Sequence, residues 1–201
     1  MANQSEQEHW DSRYRAGDLP WDTGRPSAEL IRRLKAFPGK PCRAIEFGCG
    51  AGTNAIWLAQ QGFDVTAIDI SPRAIEQAMA RAKLAGAKVR FECADATNLP
   101  DMGPPFEFLF DRGCYHAVRR SNAEGILRSL ERVAAPGAIG VVLTGNAKEE
   151  RKPGPPAVSE ETIRKELGRG FEILSLDEFR FDQDEPDGKP PLGWSVLLRK
   201  K

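Results

Sequence analysis

Five residues, Gly48-Cys49-Gly50-Ala51-Gly52, narrow the choice of fold before anything else does. They lie between a β-type run, Ala44-Ile45-Glu46-Phe47, and a helical pattern that starts near Thr53. A strand turning this tightly into a helix opens a βαβ unit, and glycines there let backbone approach a ligand while helix amides point at it. The Thr53 hydroxyl suits an N-cap, Ile56, Trp57 and Leu58 continue the helix, and Gly62 stops it.

The alternation continues downstream. A second strand, Asp64 to Ile70, leads into Ser71-Pro72, a cap residue before a proline at the first helical position, with Ile75, Ala78, Met79 and Ala82 at helical spacing. A third strand, Val89 to Cys93, precedes Asp95-Ala96, and Phe106 to Phe110 forms a fourth that ends at Asp111. A helix is expected from Ser121 to Ala135 and a fifth strand from Ala138 to Leu143. Beyond a proline-rich loop, Lys152 to Pro156, Ser159 caps a helix with Glu160 and Glu161 in its first turn. Two β-runs, Phe171 to Phe181 and Gly193 to Arg199, flank an acidic turn at Asp182 to Asp187 and read as a terminal hairpin antiparallel to the rest. The pattern predicts an α/β, doubly wound, mostly parallel sheet.

Asp69 gives the glycine turn a chemical meaning. It lies 21 residues after Gly48 at the end of the second strand, where an acid accepts hydrogen bonds from both hydroxyls of a ribose. Its alternative role is to cap the following helix. A dinucleotide site needs G-x-G-x-x-G, whereas here the third glycine comes one residue early, as G-x-G-x-G. Glu46, two residues before the first glycine, is unsuited to a pyrophosphate and suited to a cationic amino-acid end. These residues resemble the class I S-adenosylmethionine-dependent methyltransferases, whose first motif reads like E-F-G-C-G-A-G and whose second strand ends in an acid. The resemblance implies a seven-stranded Rossmann-like sheet and places Asp95-Ala96 beside the adenine.

The segment after the fourth strand narrows the branch. It reads Asp111-Arg112-Gly113-Cys114-Tyr115-His116, not the N/D-P-P-Y/F motif that goes with methylation of amide or adenine nitrogens. With Trp10-Asp11-Ser12-Arg13-Tyr14, Pro20 to Pro26 and Pro153 to Pro156, the pattern is similar to the thiopurine S-methyltransferase superfamily, including thiol and halide methyltransferases. The resemblance implies an N-terminal helical lid in which Trp10, Tyr14 and Trp21 cover the cofactor, S-adenosylmethionine, with Gly48, Gly50, Asp69, Asp95, Ala96 and Arg112 touching it. Aromatic faces attract a sulfonium by about 0.5–2 kcal/mol each. The alternative for these aromatics is a hydrophobic staple that fixes the N-terminal segment to the core.

Methyl transfer from a sulfonium disperses charge, so positioning and exclusion of water supply most of the catalysis. A thiol with a pKa near 8.5 is already partly ionised at neutral pH and needs little from a base. If a base is used, Tyr115 and His116 are the nearest candidates; otherwise His116 is a helix-start histidine satisfied by backbone. Asp111 either orients a ligand or caps the turn. Arg112, Arg119 and Arg120 offer charge to an anionic acceptor, or, for the latter two, a solvated surface.

The expected activity is methyl transfer to a small soft nucleophile such as a thiol or a related sulfur, selenium, tellurium or halide species. The alternatives are O- or N-methylation of a small metabolite and a non-catalytic nucleotide-binding module. One domain is expected over residues 1–201, with 1–38 as lid and helix, 42–145 as the cofactor core, and 146–201 as a substrate-side loop, helix and hairpin. Composition sets the remaining bounds. The 29 Lys and Arg against 29 Asp and Glu argue against a nucleic-acid or anionic-membrane partner. The uncharged stretch Ala134 to Ala147 is too short and too broken by glycine and proline to span a bilayer. The first fifteen residues are polar and hold no apolar run of the kind a secretory signal needs, and four cysteines show no metal-ligand spacing. A cytoplasmic monomer without a metal is expected.

Overall fold

The computed structural model describes residues 2–36, 39–149, 154–182 and 189–201. Five strands run parallel: β1 (Arg43–Phe47), β2 (Asp64–Asp69), β3 (Val89–Cys93), β4 (Phe106–Arg112) and β5 (Ala134–Asn146). A two-residue strand, β6 (Ala157–Val158), adds to β5 at Gly145 and Asn146, and β7 (Phe171–Arg180) and β8 (Leu192–Lys200) complete the sheet. The order is β3-β2-β1-β4-β5-β8-β7, with β6 off this path. Among the described residues the ordered path holds the seven expected strands, and the two-residue β6 beside β5 makes an eighth. Because β8 is antiparallel to β5 and β7 is antiparallel to β8, only β8 runs against the others. The expectation that both hairpin strands oppose the sheet is corrected for β7. Most of the acidic turn, and Lys152 and Pro153 of the proline-rich loop, lie outside the described residues.

Among the described residues six helices accompany these strands: α1 (Ala2–Ala16), α2 (Ala28–Ala36), α3 (Thr53–Gln60), α4 (Pro72–Leu84), α5 (Cys114–Val133) and α6 (Glu160–Leu167). Strand alternation sends Ala44, Val65, Phe110 and Leu143 to one face, where they meet Leu30, Leu58 and Ile75 of α2, α3 and α4. Ile45, Phe47, Leu109 and Val142 point the other way, against Ile126, Leu130, Ile163 and Leu167 of α5 and α6. Both sheet faces are thus covered, which is what near-continuous apolar parallel strands require. Buried Arg33 pins α2 across the hairpin by donating to the Ser195 hydroxyl at 2.8 Å, the Ser195 carbonyl at 2.7 Å and the Ser175 hydroxyl at 2.7 Å.

Helix starts follow local chemistry, with two departures from expectation. Ser71 caps α4 by accepting the Ala74 N–H at 3.2 Å, and Ser159 caps α6 by accepting the Thr162 N–H at 3.1 Å. Thr53, by contrast, is not a cap. Gly52 holds that position with φ 81°, and the Thr53 hydroxyl turns outward to Asp22 at 3.3 Å. The helix expected from Ser121 begins seven residues earlier at Cys114, and a break at Asn122 (φ −152°, ψ 71°) separates its first two turns from the remainder. That break interrupts the apolar periodicity, so only the second segment is visible as a pattern.

Candidate active site

The carboxyl ends of the neighbouring strands β3, β2, β1 and β4 lie side by side, with Phe47 opposite Asp111 and Asp69 opposite Cys93. The glycine turn leaves β1 there. Gly48 and Gly50 have φ of 59° and 55°, which only glycine adopts without strain. A side chain at either position also lacks space: a Cβ on Gly48 would lie 2.7 Å from the Cys114 Cβ, and one on Gly50 would lie 2.6 Å from the Tyr14 hydroxyl. The loop backbone is consequently bare and close to α5 and the N-terminal segment.

Asp69 organises this turn. One carboxyl oxygen accepts the Gly50 N–H at 2.9 Å and the other accepts the Ser71 N–H at 2.9 Å. Burial pushes its pKa up, and the Ser71, Gly50 and Ile70 amides oppose that rise. Each oxygen keeps a lone pair for a hydroxyl donor. The helix cap is Ser71, so Asp69 is not needed for it. Asp95 follows two residues after Cys93 and accepts the Thr97 N–H at 2.8 Å, with Ala96 buried beside it.

Above the loop, Trp10 meets Trp21 edge-on at 5.5 Å, Tyr14 meets Trp21 at 6.3 Å, and the Arg13 guanidinium lies 4.4 Å over Trp21. Tyr14 is buried against Ala51 and Ala74, which matches the contacts of a staple, while Trp10 and Trp21 remain half-buried. Two aspartates tie this segment down. Asp11 accepts the Ser71 hydroxyl at 2.6 Å, and Asp22 pairs with Arg81 at 2.8 Å.

A cavity of about 40 Å³ lies between Trp21, the glycine loop, Glu46, Asn54 and Arg112. Glu46 is 1% exposed and its carboxyl is pushed up to about 8 by burial. Arg112 donates to the Trp21 carbonyl at 3.1 Å and sits 5.4 Å over Phe181, and burial lowers its pKa. A larger cavity, about 400 Å³, opens at the opposite end of the sheet near Leu34, Phe63 and Phe108. It is far from the glycine turn and is mostly apolar, so the smaller cleft is the better candidate.

The two candidate bases, Tyr115 and His116, and Asp111, expected to orient a ligand or cap the turn, have other partners in this structure. Asp111 accepts the Tyr115 N–H at 2.8 Å, along with the Cys114 and Gly113 amides, and so caps α5; burial nevertheless raises it to about 7. The Tyr115 hydroxyl donates to Glu166 at 2.6 Å, and Arg119 holds that same carboxylate at 2.5 Å. His116 is buried and accepts the Gly145 N–H on Nδ1 at 3.0 Å, which leaves its proton on Nε2. Its pKa is pushed down to about 3 by burial and by Arg112. Among the described residues, no three His, Cys, Asp or Glu side chains converge to hold a metal, and no helix is long and apolar enough to cross a membrane.

The model of the family named "Thiopurine S-methyltransferase (TPMT)" matches residues 5–193. The chain belongs to the thiopurine S-methyltransferase family. It is an S-adenosylmethionine-dependent methyltransferase. A relative from Mycobacteroides abscessus, named 2-heptyl-1-hydroxyquinolin-4(1H)-one methyltransferase, is 31% identical over 186 residues, covering 87% of this chain and 81% of that protein. Among solved structures, one described as "Conversion of a Disulfide Bond into a Thioacetal Group during Echinomycin Biosynthesis" superposes with a TM-score of 0.85 at 25% identity, covering 98% of this chain and 92% of the other. The magnesium protoporphyrin IX methyltransferase of Synechocystis PCC 6803 with bound S-adenosylmethionine shares the fold, with a TM-score of 0.65 at 19% identity over 86% of this chain and 76% of that one.

In this methyltransferase several contacts at the cleft had no signal along the chain. Asp11 and Ser71 are 60 residues apart, and Tyr115 and Glu166 are 51 apart. Asn54, which donates to Glu46 at 3.3 Å, does lie within a local signal, eight residues on, as the second residue of the helix after the glycines.

Proposed function

We propose that this methyltransferase transfers a methyl group to a small, soft nucleophile that arrives as an anion, a thiolate foremost, beside Arg112. Among the described residues, Arg112 is half-buried and forms no ion pair, and this is the observation that carries the reading. A half-buried guanidinium that no carboxylate contacts directly, with Asp182, Glu46 and Asp22 acting on it only from a distance, favours an incoming anion. The Tyr115 hydroxyl is committed to Glu166, and His116 has its Nδ1 lone pair committed to Gly145 and its proton on Nε2, so proton removal by either is disfavoured. A nucleophile that ionises by itself near neutrality does not need them.

The residues divide by task. Gly48 and Gly50 offer backbone to the cofactor, Asp69 takes its ribose hydroxyls, and Asp95 with Ala96 borders its adenine. Glu46 faces the ammonium of its amino-acid end. Trp10, Tyr14 and Trp21 close over it and exclude water. When bound, S-adenosylmethionine supplies a methyl group on an electrophilic sulfonium. Asp111, Tyr115 and His116 act by positioning: Asp111 fixes the start of α5, Tyr115 ties it to α6, and His116 ties it to β5.

The Mycobacteroides abscessus relative favours a second reading. Its name contains a hydroxyl on a heteroaromatic nitrogen. Such an acceptor is also acidic, and it differs from a thiol in nucleophilic atom rather than in charge. A panel of thiols, N-hydroxy heterocycles, phenols and amines with methyl-labelled cofactor separates the two, read by mass of the product. Thiols are expected to be methylated fastest. Turnover confined to amines would overturn the proposal.

A further inference from the structure

Glu46, like Asp111, is almost fully buried at the cleft, and nothing cationic is paired with it. Its Oε1 accepts from Asn54 Nδ2 at 3.3 Å, and the carboxyl also draws on the Ala55 amide. Among the described residues its Oε2 has no hydrogen-bond partner and the carboxyl forms no ion pair. The nearest candidate cation, Arg112, is turned toward the Trp21 carbonyl and the Phe181 ring. The other charged or titratable groups around it are Asp111 on β4, Cys49 in the loop, Asp22 and Arg25 in the lid segment, and Asp182 after β7, which acts on Arg112. Most of these are acids. A carboxylate here would be desolvated, short of donors and near other negative charge, whereas a neutral carboxyl avoids all three costs.

The cavity lined by Glu46 and Arg112 is where the reading above puts the amino-acid end of the cofactor, and the inference rests on that reading. We propose that Glu46 is a proton-linked counter-ion: it is an uncharged acid before a ligand binds and releases its proton to solvent when an ammonium enters the cavity beside its unpartnered oxygen. An adjacent cation supplies the missing charge partner, so the ionised form becomes the favoured one. Binding then carries a pH dependence that belongs to this carboxyl: affinity for the ammonium-bearing ligand rises as pH rises through the value to which burial has moved Glu46, about 8.

Calorimetry of S-adenosylhomocysteine binding at pH 7, in buffers that differ in ionisation enthalpy, measures the protons exchanged. The ligand's amine is that of a free amino-acid end, beside its own carboxylate, and titrates above the range of a peptide N-terminus, so it arrives charged and its own proton uptake is small. The expected result is net release approaching one proton per ligand bound. 5′-Methylthioadenosine, which lacks the amino-acid end, is expected to bind the same wild-type protein with no release. That comparison does not depend on any variant folding. In Glu46→Gln the release is expected to vanish and S-adenosylhomocysteine affinity to become flat between pH 6.5 and 8. Binding without proton release, or release that persists in Glu46→Gln, would overturn the proposal and leave the cofactor site intact. No binding of S-adenosylhomocysteine would overturn both.

Discussion

Asp69 shows how one side chain serves both fold and site. Its oxygens hold the Gly50 and Ser71 amides at 2.9 Å each, so it shapes the glycine turn before any ligand is considered. Removing it takes away charge-assisted hydrogen bonds worth about 1.5–3 kcal/mol to a bound ribose. Asp69→Ala is therefore expected to weaken S-adenosylhomocysteine binding by about 10- to 150-fold in calorimetry; an unchanged affinity would mean that the ribose lies elsewhere. Tyr115 makes the opposite prediction. Its hydroxyl is spent on Glu166, so Tyr115→Phe should lower the melting temperature by about 2–4 °C while turnover stays within about twofold. A hundredfold loss of turnover at unchanged stability would return Tyr115 to catalysis. The glycine turn and Asp69 were legible because strand, turn and helix are contiguous and the acid follows one βα unit later. The partner of Tyr115 was not, since Glu166 belongs to a helix that reaches it only through the packing of α6 on the sheet.

At the scale of elements, the N-terminal segment is held by two acids that reach into the core units. Asp11 accepts the Ser71 hydroxyl at 2.6 Å and the Arg73 N–H at 3.2 Å, which joins α1 to the start of α4. Asp22 pairs with Arg81 at 2.8 Å and accepts Thr53 at 3.3 Å, which joins the loop bearing Trp21 to α3 and α4. Surrounding contacts keep α4 in place without these bonds, so their loss acts on the lid. Asp22→Ala should raise the KM for S-adenosylmethionine about tenfold, equivalent to about 1.4 kcal/mol, and speed proteolytic cleavage within the first 25 residues. An unaltered KM together with unaltered cleavage would show that the pair does not restrain the lid. The same scale explains where reading the sequence fell short. The helix α5 starts at Cys114 because Asp111 caps it, yet its first turns have the polar-apolar mixture of a junction and are cut off at Asn122 from the periodic part. The strand β5 runs to Asn146, three residues past the expected end, because β6 and β8 both pair with its last residues.

For the whole molecule, equal numbers of acids and bases conceal an uneven distribution. In the arginine-rich stretch 112–132, Arg119 meets an acid of α6 in the Arg119–Glu166 pair at 2.5 Å, and the stretch's own acid Glu124 meets Arg169, just after α6, at 2.5 Å. Glu46 and Asp111 remain buried at the carboxyl edge of the sheet. A carboxyl with a raised folded-state pKa binds its proton in the folded chain where the unfolded chain has lost it, so stability falls as pH rises between the two values. The windows run from 4.5 to about 8 for Glu46 and from 3.8 to about 7 for Asp111. His116 works in the other direction, its stabilisation being lost as pH falls below 6.5. The melting temperature of the protein without ligand should accordingly fall from pH 6.5 to 8, and Glu46→Gln should flatten that slope. A wild-type melting temperature that rises over this range would mean that these carboxyls are ionised in the folded chain.

The decisive measurement is the pH dependence of kcat/KM for a series of thiol acceptors whose own pKa values differ, at saturating S-adenosylmethionine. If the nucleophile arrives already ionised beside Arg112, the inflection moves with the pKa of each acceptor. An inflection fixed near 7 for every acceptor, and abolished in Asp111→Asn, would instead make Asp111 a general base and contradict the proposed chemistry.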